Sequence, residues 1–381
     1  MKRSLFAILL IACGQPPQGE LPEPGEVVCD DGIGAPVVVV DRRVDTVPEL
    51  TNSLRHFGDE TYIVHSGANT VSLLDLGSGE ARELVDVGNE RGPWEVWATD
   101  DELWITNYAT STVTVASRDT GAVIDEIGHP SLSQPSGIAG SETRIYVSNV
   151  EFSGTSEYGP GRVTVIDRTT REVFGSIATA RQNPQHIEVV ELSDGPRVVV
   201  VDSGTFDLDG GAFAGSEAAV ELWTETDDAV APHKEVAVLP LVDSNRRIGS
   251  PGRPLKAPDD DVLYFASGTA SVLFSLDAST AKWLRGSDDP IEVGPTSTDS
   301  LNYAAIDERG VIYVAAFNED AMYLVDTTCD ALLSGPIPLE DSSMLAGPQG
   351  VVPIELGDGR VDAYFVLSHA NELGRVRLRY E

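Results

Sequence analysis

Basic residues and cysteines are scarce in this chain of 381 residues. It contains 26 lysines and arginines against 61 aspartates and glutamates, which gives a formal net charge of −35. This negative surplus repels phosphate backbones and anionic lipid headgroups, so it argues against nucleic-acid binding and electrostatic adhesion to membranes. The sequence also lacks paired CxxC, HExxH, GxSxG and phosphate-binding motifs. The common zinc, serine-hydrolase and nucleotide sites are therefore not indicated.

The N-terminus begins with a short apolar run. A basic start at Lys2 and Arg3 precedes this run, which is too short to span a bilayer and therefore predicts a secretory signal over residues 1–12. The segment LIAC, residues 10–13, resembles the lipobox of bacterial lipoproteins, in which the cysteine is acylated. The resemblance implies lipidation at Cys13 and, with Gly14 following, an outer-membrane lipoprotein of the bacterial envelope. An ordinary signal peptide with a coincidental cysteine is the alternative.

Residues 13–33 follow as a predicted tether. The stretch GQPPQGELPEPGE is rich in Pro, Gly and Glu and poor in large apolar residues. Such a segment buries too little surface to offset the entropy of ordering it. We therefore place the folded domain at residues 34–381, where a chain that is 41% hydrophobic suffices for a core.

Pairs of short apolar strands recur through this domain. Three examples are TYIVHSGANTVSLLDL, LWITNYATSTVTVAS and VIYVAAFNEDAMYLVD. The equivalent second-strand position holds, in chain order, Tyr62, Trp104, Tyr146, Val199, Tyr264, Tyr313 and Tyr364. Units of roughly 40 to 65 residues, built from alternating Val, Ile, Tyr and Thr, predict the blades of a β-propeller.

Each unit follows one pattern. An approach with proline, such as RGPWEVWA or QNPQHIEV, leads into an innermost strand, and an aspartate follows the third strand. We assign these aspartates to turns, because a short carboxylate accepts hydrogen bonds from amides two residues on. They are Asp75, Asp167, Asp277 and Asp326. The units resemble the YVTN repeat and, more loosely, the NHL and gluconolactonase-like propellers, which implies the fold and says little about function.

Seven such units predict an all-β, seven-bladed β-propeller, with six or eight blades as alternatives. The last unit ends after its third strand, so another segment must supply the fourth. The apolar stretch PVVVVDRRVDTV, residues 36–47, has no partner of its own. We expect it to complete the last blade and close the ring, because closure removes exposed strand edges.

Two cysteines remain after lipidation, and an oxidising envelope permits a bridge between them. Cys29 precedes the closing strand of blade seven, and Cys329 lies in the turn after the third strand of blade six. Both places are on the same face of adjacent blades, so we predict a Cys29–Cys329 disulfide. Two buried free thiols are the alternative, since spacing alone does not establish pairing.

Insertions interrupt the repeat at residues 150–161, 203–217 and 243–261. Strand alternation places all three on one side of the ring, called here the top face. The binding candidates on them are Tyr158, Phe206, Phe213, Arg246, Arg247, Arg253 and Lys256. The sequence therefore predicts a non-catalytic, outer-membrane-anchored propeller that binds a protein or glycan partner through this face. Pairing of the arginines and the lysine with nearby aspartates, or merely tolerated insertions, are the alternatives.

An enzyme is the second functional hypothesis. Glu95 and His186 lie on approaches to inner strands, near the channel mouth where propeller lactonases and streptogramin lyases keep their acids, bases or metal ligands. A lone histidine there is more often structural. We expect no cofactor, with calcium as a minor possibility, because DSGTFDLDGG offers only part of a calcium-loop pattern. Its carboxylates are Asp202, Asp207 and Asp209.

Overall fold

Seven antiparallel sheets form a seven-bladed β-propeller in the computed structural model of the chain. The structure describes residues 33–153, 157–207, 213–241, 248–294, 300–301, 303–339 and 346–380, without the side chains of 41–43, 207, 213 and 214. No helix occurs among these residues. Nothing in the described ranges could therefore cross a membrane as a helix.

The first strand of the chain, β1 (Val37–Thr46), precedes blade 1, and blades 1 to 3 follow in order. Blade 1 contains β2 (Thr51–Phe57), β3 (Glu60–His65), β4 (Thr70–Leu74) and β5 (Ala81–Asp86). Blade 2 contains β6 (Pro93–Ala98), β7 (Glu102–Asn107), β8 (Thr112–Ser117) and β9 (Val123–Gly128). Blade 3 contains β10 (Pro135–Gly140), β11 (Arg144–Asn149), β12 (Arg162–Asp167) and β13 (Val173–Ala178).

Blades 4 and 5 depart from the four-strand plan. Blade 4 contains β14 (Pro184–Leu192), β15 (Gly195–Asp202), β18 (Ala218–Thr224) and β19 (His233–Leu239). A small hairpin, β16 (Phe206–Asp207) with β17 (Phe213–Ala214), lies within its insertion. Blade 5 contains β20 (Leu255–Lys256), β21 (Val262–Ala266), β22 (Val272–Asp277), β23 (Lys282–Arg285) and a short extra strand, β24 (Ile291–Glu292).

The N-terminal strand completes the last blade, as predicted. Blade 6 contains β25 (Tyr303–Ile306), β26 (Val311–Ala316), β27 (Ala321–Asp326) and β28 (Ala331–Pro338). Blade 7 contains β29 (Pro348–Gly357), β30 (Arg360–Leu367) and β31 (Glu372–Arg379), and β1 pairs antiparallel with β31 as its outer strand. The ring is therefore closed by strands from both ends of the domain.

Six aromatic residues and one valine, at equivalent positions of the second strands, belong to the core between blades. The seven equivalent residues identified in the sequence are all at most 4% exposed. The hydroxyl of Tyr146 donates to Glu225 at 2.7 Å, and that of Tyr313 donates to Asp307 at 2.9 Å. Each ring thus packs in the core while its polar atom keeps a hydrogen-bond partner.

The recurring aspartates lie in turns, which confirms their structural assignment. Asp75 accepts hydrogen bonds from the backbone amides of Gly77 and Ser78, both at 2.8 Å. Asp167 and Asp277 make the corresponding contacts two residues on, each at 2.9 Å. These bonds stabilise the turn that leads from the third strand to the outer strand.

Candidate functional site

The inner strands begin with β-bulges at the channel mouth. In blade 2 the strand register shifts between Pro93 and Val96, and in blade 4 it shifts between Pro184 and His186. A bulge lets extra residues oppose one partner residue and turns their side chains in new directions. The side chains that line the mouth beside these two bulges are Trp94, Glu95, Gln185 and His186.

A small cavity of about 70 Å³ lies at this end of the channel. We call it the mouth cavity. Every blade contributes to its lining, from Asn52 and Ser53 of blade 1 to Gly350 and Val351 of blade 7. Because seven inner strands converge there, the cavity depends on closure of the whole ring.

Four charged side chains from four blades form what we call the channel network: Arg55, Glu95, Glu188 and Arg253. Arg55 Nη2 donates to Glu188 Oε1 at 2.7 Å, and Arg55 Nη1 lies 3.5 Å from Glu95 Oε1. Arg253 donates to Glu95, and its Nε is 3.3 Å from Glu188 Oε1. Two cations and two anions therefore balance, and both glutamates bridge both arginines.

Glu95 is held in its ionised form by this network. Its side chain is only 7% exposed, and burial alone would raise its pKa. The charges of Arg253 and Arg55 and a hydrogen bond from Ser53 Oγ at 2.6 Å outweigh burial, so the pKa lies below its usual range. An ionised, doubly paired carboxylate is a poor general acid.

His186 and Tyr303 present unused polar atoms to the mouth cavity. Neither the imidazole nor the phenol is hydrogen-bonded to another residue that the structure describes. Burial first, and then the charges of Arg253 and Arg55, lower the pKa of His186 to about 3 against the opposing effect of Glu95. Burial and Glu95 raise the pKa of Tyr303 to about 12. At neutral pH both groups are uncharged and available to a ligand.

Two pairs of aromatic side chains lie on one side of the entrance, on blades 2 and 3. Trp94 packs on Tyr108, with ring centroids 5.2 Å apart and planes at 34°. Phe152 packs on Tyr158 at 5.0 Å, and both belong to the first insertion. Burial and then the nearby Tyr108 phenol raise the pKa of Tyr158, which indicates that the two pairs are close. We call these four half-buried residues the aromatic rim.

Some of the sequence-predicted residues therefore come together. Glu95, His186 and Arg253 line the mouth cavity, and Tyr158 belongs to the aromatic rim beside it. The insertion that carries Tyr158 also contacts the connection before β14, since Gln182 Nε2 donates to the Tyr158 carbonyl at 2.7 Å. Residues proposed separately for catalysis and for binding thus share one place.

Other predicted residues lie elsewhere or outside the described ranges. The ammonium group of Lys256 donates to the carbonyls of Ala257 and Asp260, at 2.9 and 3.0 Å, in the turn at the opposite end of β20 from the mouth. Phe206 is half-buried on the blade 4 hairpin and does not line the cavity. The remaining candidates lie outside what is described: Arg246, Arg247 and the side chain of Phe213.

Of the three calcium candidates, only the side chain of Asp202 lies within the described residues. Asp202 is fully buried at the end of β15, whereas the side chain of Asp207 and all of Asp209 lie outside the described residues. Within the described ranges, no group of three or more His, Cys, Asp or Glu side chains is placed to hold a metal. Calcium binding by the full insertion stays a prediction.

Sequence reasoning did not identify Arg55, Glu188 and Tyr303. A usable signal existed for the first two, because TNSLRHF and PQHIEVVEL place a charge inside an inner strand that otherwise packs against neighbours. Tyr303 carried no comparable signal, since the preceding approach differs from the Pro-containing pattern of the other blades.

No protein-family model matches the chain. No curated protein matches it either. Among solved structures it is similar to a streptogramin B lyase, with a TM-score of 0.61 and 13% identity over 91% of this chain and 98% of that chain. It is also similar to an inactive virginiamycin B lyase from Staphylococcus aureus with quinupristin, with a TM-score of 0.63 and 14% identity over 90% and 99%.

A third similar structure is the hydrazine synthase of Kuenenia stuttgartiensis, with a TM-score of 0.63 and 16% identity over 95% of this chain and 100% of that chain. At such identities the similarity shows the β-propeller fold alone. Membership of the YVTN family stays a prediction.

Proposed function

We propose that this protein is a binding propeller that holds the end of a neutral glycan in its mouth cavity. The observation that carries the proposal is the combination in one place of an aromatic rim with uncharged, unused hydrogen-bonding groups above a charge-balanced floor. Pockets that recognise small ligands combine apolar and aromatic walls with a few placed polar groups in this manner.

The charge of the site favours a neutral ligand over an anion. Arg55 and Arg253 would attract a carboxylate or phosphate if they were unpaired. Glu95 and Glu188 already occupy both guanidinium groups, so an anion would have to displace a buried carboxylate. Separating such buried pairs is costly. Sugar hydroxyls need no such exchange, because they can hydrogen-bond to His186 and Tyr303 as these stand.

The size of the cavity favours the end of a chain. The cavity is small, with a volume of about 70 Å³. We therefore expect it to admit hydroxyl groups of a terminal sugar and not the whole ring. The ring would instead lie across the rings of Trp94 and Tyr108, where apolar C–H groups pack on an aromatic face.

Replacing Trp94 with alanine tests this proposal. We expect Trp94→Ala to weaken binding of a neutral oligosaccharide by roughly 10- to 100-fold, because aromatic anchors dominate binding energy at such sites. The measurement is a glycan-array screen of the wild-type protein, followed by calorimetric titration of the best ligand against both proteins.

A matched control is available on the outer strand of blade 3. Phe174 is 49% exposed and lies far from the channel, so Phe174→Ala should leave binding unchanged. Equal affinities of wild-type and Trp94→Ala proteins for every ligand found would contradict a site at the mouth. If the propeller bound a protein partner and no glycan, the glycan proposal would be wrong and that protein would be the ligand.

From the predicted N-terminal segment we infer the cellular location of this binding function. A cysteine acylated at residue 13 carries two or more chains, which suffices for stable anchoring. Residues 13–33 would then hold the propeller away from the outer membrane of a bacterium, with its top face free. Residues 1–32 lie outside the described part of the chain, and labelling with a radioactive fatty acid, lost in Cys13→Ser, tests the anchor.

A lyase at the same cavity is the second candidate. The observation in its favour is the pairing of a neutral, unused imidazole with a phenol inside a closed channel mouth. To accept a proton from a bound substrate, His186 would need that substrate to raise its pKa, because an imidazole with a pKa of about 3 is a weak base. His186→Gln distinguishes the two functions: an enzyme loses turnover of lactone or lyase substrates while substrate binding persists, whereas a binding protein shows no turnover before the substitution.

A further inference from the structure

A polar pair recurs in blades 1, 2 and 3. In each blade it joins the second strand to the third strand. The residue near the end of the second strand hydrogen-bonds to a hydroxyl on the third strand. The pairs are His65 with Ser72 at 2.9 Å, Asn107 with Thr114 at 2.8 Å and Asn149 with Thr164 at 3.1 Å. In blades 2 and 3 the amide donates to the hydroxyl, so each pair forms its hydrogen bond between neutral groups.

Blade 4 carries two carboxylates in these places. Asp202 ends β15, and Glu221 lies on β18 opposite Val200, as Thr164 lies opposite Val147 in blade 3. Both side chains of the acidic pair are fully buried. Two carboxylates are both acceptors when ionised, so they can bond to each other only if one of them carries a proton.

The surroundings supply too few donors for two negative charges. Glu221 receives hydrogen bonds from the Ala180 amide at 2.6 Å and the Trp223 indole at 3.0 Å, and Lys234 Nζ lies 3.3 Å away. Among the described side chains, no other cation pairs with these two carboxylates. Asp202 Oδ1 is buried and receives no hydrogen bond.

The other oxygen of Asp202, Oδ2, accepts a hydrogen bond from the Arg181 backbone amide at 2.7 Å. The guanidinium of Arg181 is directed to Glu217 at 3.0 Å near the surface. Burial first, and then the charge of Glu221, raise the pKa of Asp202 to about 8, while the bonds from Arg181 and Thr179 oppose the shift. Burial and the neighbouring carboxylate therefore favour the protonated form of Asp202.

We propose that the buried pair of Asp202 and Glu221 holds one proton, on Asp202, and acts as a pH-sensitive latch on the connection between β13 and β14. The two carboxylates accept the amides of Ala180 and Arg181, which are successive residues of that connection. Loss of the proton leaves two buried negative charges side by side, with one lysine to offset them. Repulsion and rehydration then release the connection from the blade.

The connection leads directly to the proposed ligand site. Gln182 follows Arg181 and donates to the carbonyl of Tyr158 in the aromatic rim at 2.7 Å. Pro184, Gln185 and His186 come next on the inner strand. Release of the latch therefore loosens one side of the rim, and ligand affinity falls in alkaline medium. This second part rests on the proposed glycan binding, whereas the proton on the acidic pair does not.

Thermal unfolding against pH tests the proton on the acidic pair without a ligand. The folded protein holds a proton that the unfolded chain loses above pH 3.8, so stability falls as pH rises toward about 8. The amide of Asp202→Asn does not ionise, so this variant lacks that dependence on pH. We expect the melting temperature of Asp202→Asn, relative to wild type, to increase between pH 5 and 8 by roughly 3 °C or more and then to level off.

Two further variants make the result decisive. Asp75→Asn, at an exposed turn, should show a constant difference from wild type over the same range. If Asp202→Asn folds poorly, the addition of Glu221→Thr restores the neutral pair of blades 2 and 3 and should also remove the pH dependence. A difference that stays flat between pH 5 and 9 would overturn the proton on the acidic pair.

Two more measurements separate the remaining explanations. At pH 9, a rise in wild-type melting temperature with added Ca²⁺ that Asp202→Asn lacks would overturn the latch in favour of a cation site. Glycan affinity that falls above pH 8 in wild type and stays constant in Asp202→Asn supports the coupling to the rim. If the melting temperatures of wild type and Asp202→Asn differ with pH as expected and no glycan binds at any pH, the proton on the acidic pair is upheld and the glycan proposal is rejected.

Discussion

Glu95→Ala is expected to lower the free energy of unfolding by about 3–5 kcal/mol, because it leaves buried charges without a partner. Arg55 and Arg253 would then share Glu188 as their one carboxylate within the described network. The side chain of Arg55 is only 9% exposed, so water would replace the lost carboxylate incompletely. Urea denaturation of the wild-type and variant proteins at pH 7 measures the difference.

Two further variants serve as controls for the effect of Glu95→Ala on stability. Glu83 is exposed on an outer strand, and Glu83→Ala should change stability by less than about 0.5 kcal/mol. Combining Glu95→Ala with Arg253→Met removes a charge of each sign and should recover part of the loss, because the two substitutions act on one pair. A loss below about 1 kcal/mol for Glu95→Ala would show that the network does not hold the channel together.

The network also has a predictable response to acid. Arg253 and Arg55 hold the pKa of Glu95 below its usual range, so the folded state releases the proton of Glu95 more readily than the unfolded chain. The resulting stabilisation is present above about pH 4.5 and is lost as pH falls through the folded pKa. Asp202 shows the opposite dependence, because its pKa is raised.

The second large effect is expected from Cys329→Ser, through the proposed disulfide with Cys29. Cys29 lies outside the described residues, but Ile33, four residues later, donates its amide to Asp326 Oδ2 at 2.8 Å. Asp326 begins the turn that contains Cys329. Ile33 therefore lies beside that turn, and a bridge closing about 300 residues would stabilise the fold by up to roughly 5 kcal/mol.

Stability with and without reductant measures this contribution. We expect wild type in reductant to match Cys329→Ser, and Cys329→Ser to be insensitive to reductant. Thiol titration of the protein unfolded without reductant, on a chain lacking the acylated cysteine, should detect no free thiol. Two free thiols per chain would rule out the disulfide.

The fold could be predicted because its determinants are local and repeated. Alternating Val, Ile and Tyr define each strand, and turn aspartates such as Asp75 and Asp167 mark where strands end. Counting the repeats then gave seven blades, and one unpaired apolar segment identified β1 as the closing strand. Each of these inferences needed only neighbouring residues or a count.

The site was less predictable because its residues meet only through closure of the ring. Arg55 and Glu188 are 133 residues apart in sequence and make a 2.7 Å contact across the channel. Glu95 and His186 were found through their place before an inner strand, and Arg253 as a binding candidate, but the pairing of Glu95 with Arg55 and Arg253 was not predicted. The acidic pair of blade 4 had a signal: the Asn and Thr of the repeat are replaced by Asp202 and Glu221.

A crystal structure of the protein with the oligosaccharide selected on the array tests ligand binding at the channel mouth most directly. The account predicts a terminal sugar ring across Trp94 and Tyr108, with hydroxyl groups bonded to His186 or Tyr303. A ligand bound elsewhere on the top face, with the mouth cavity unchanged, would contradict it.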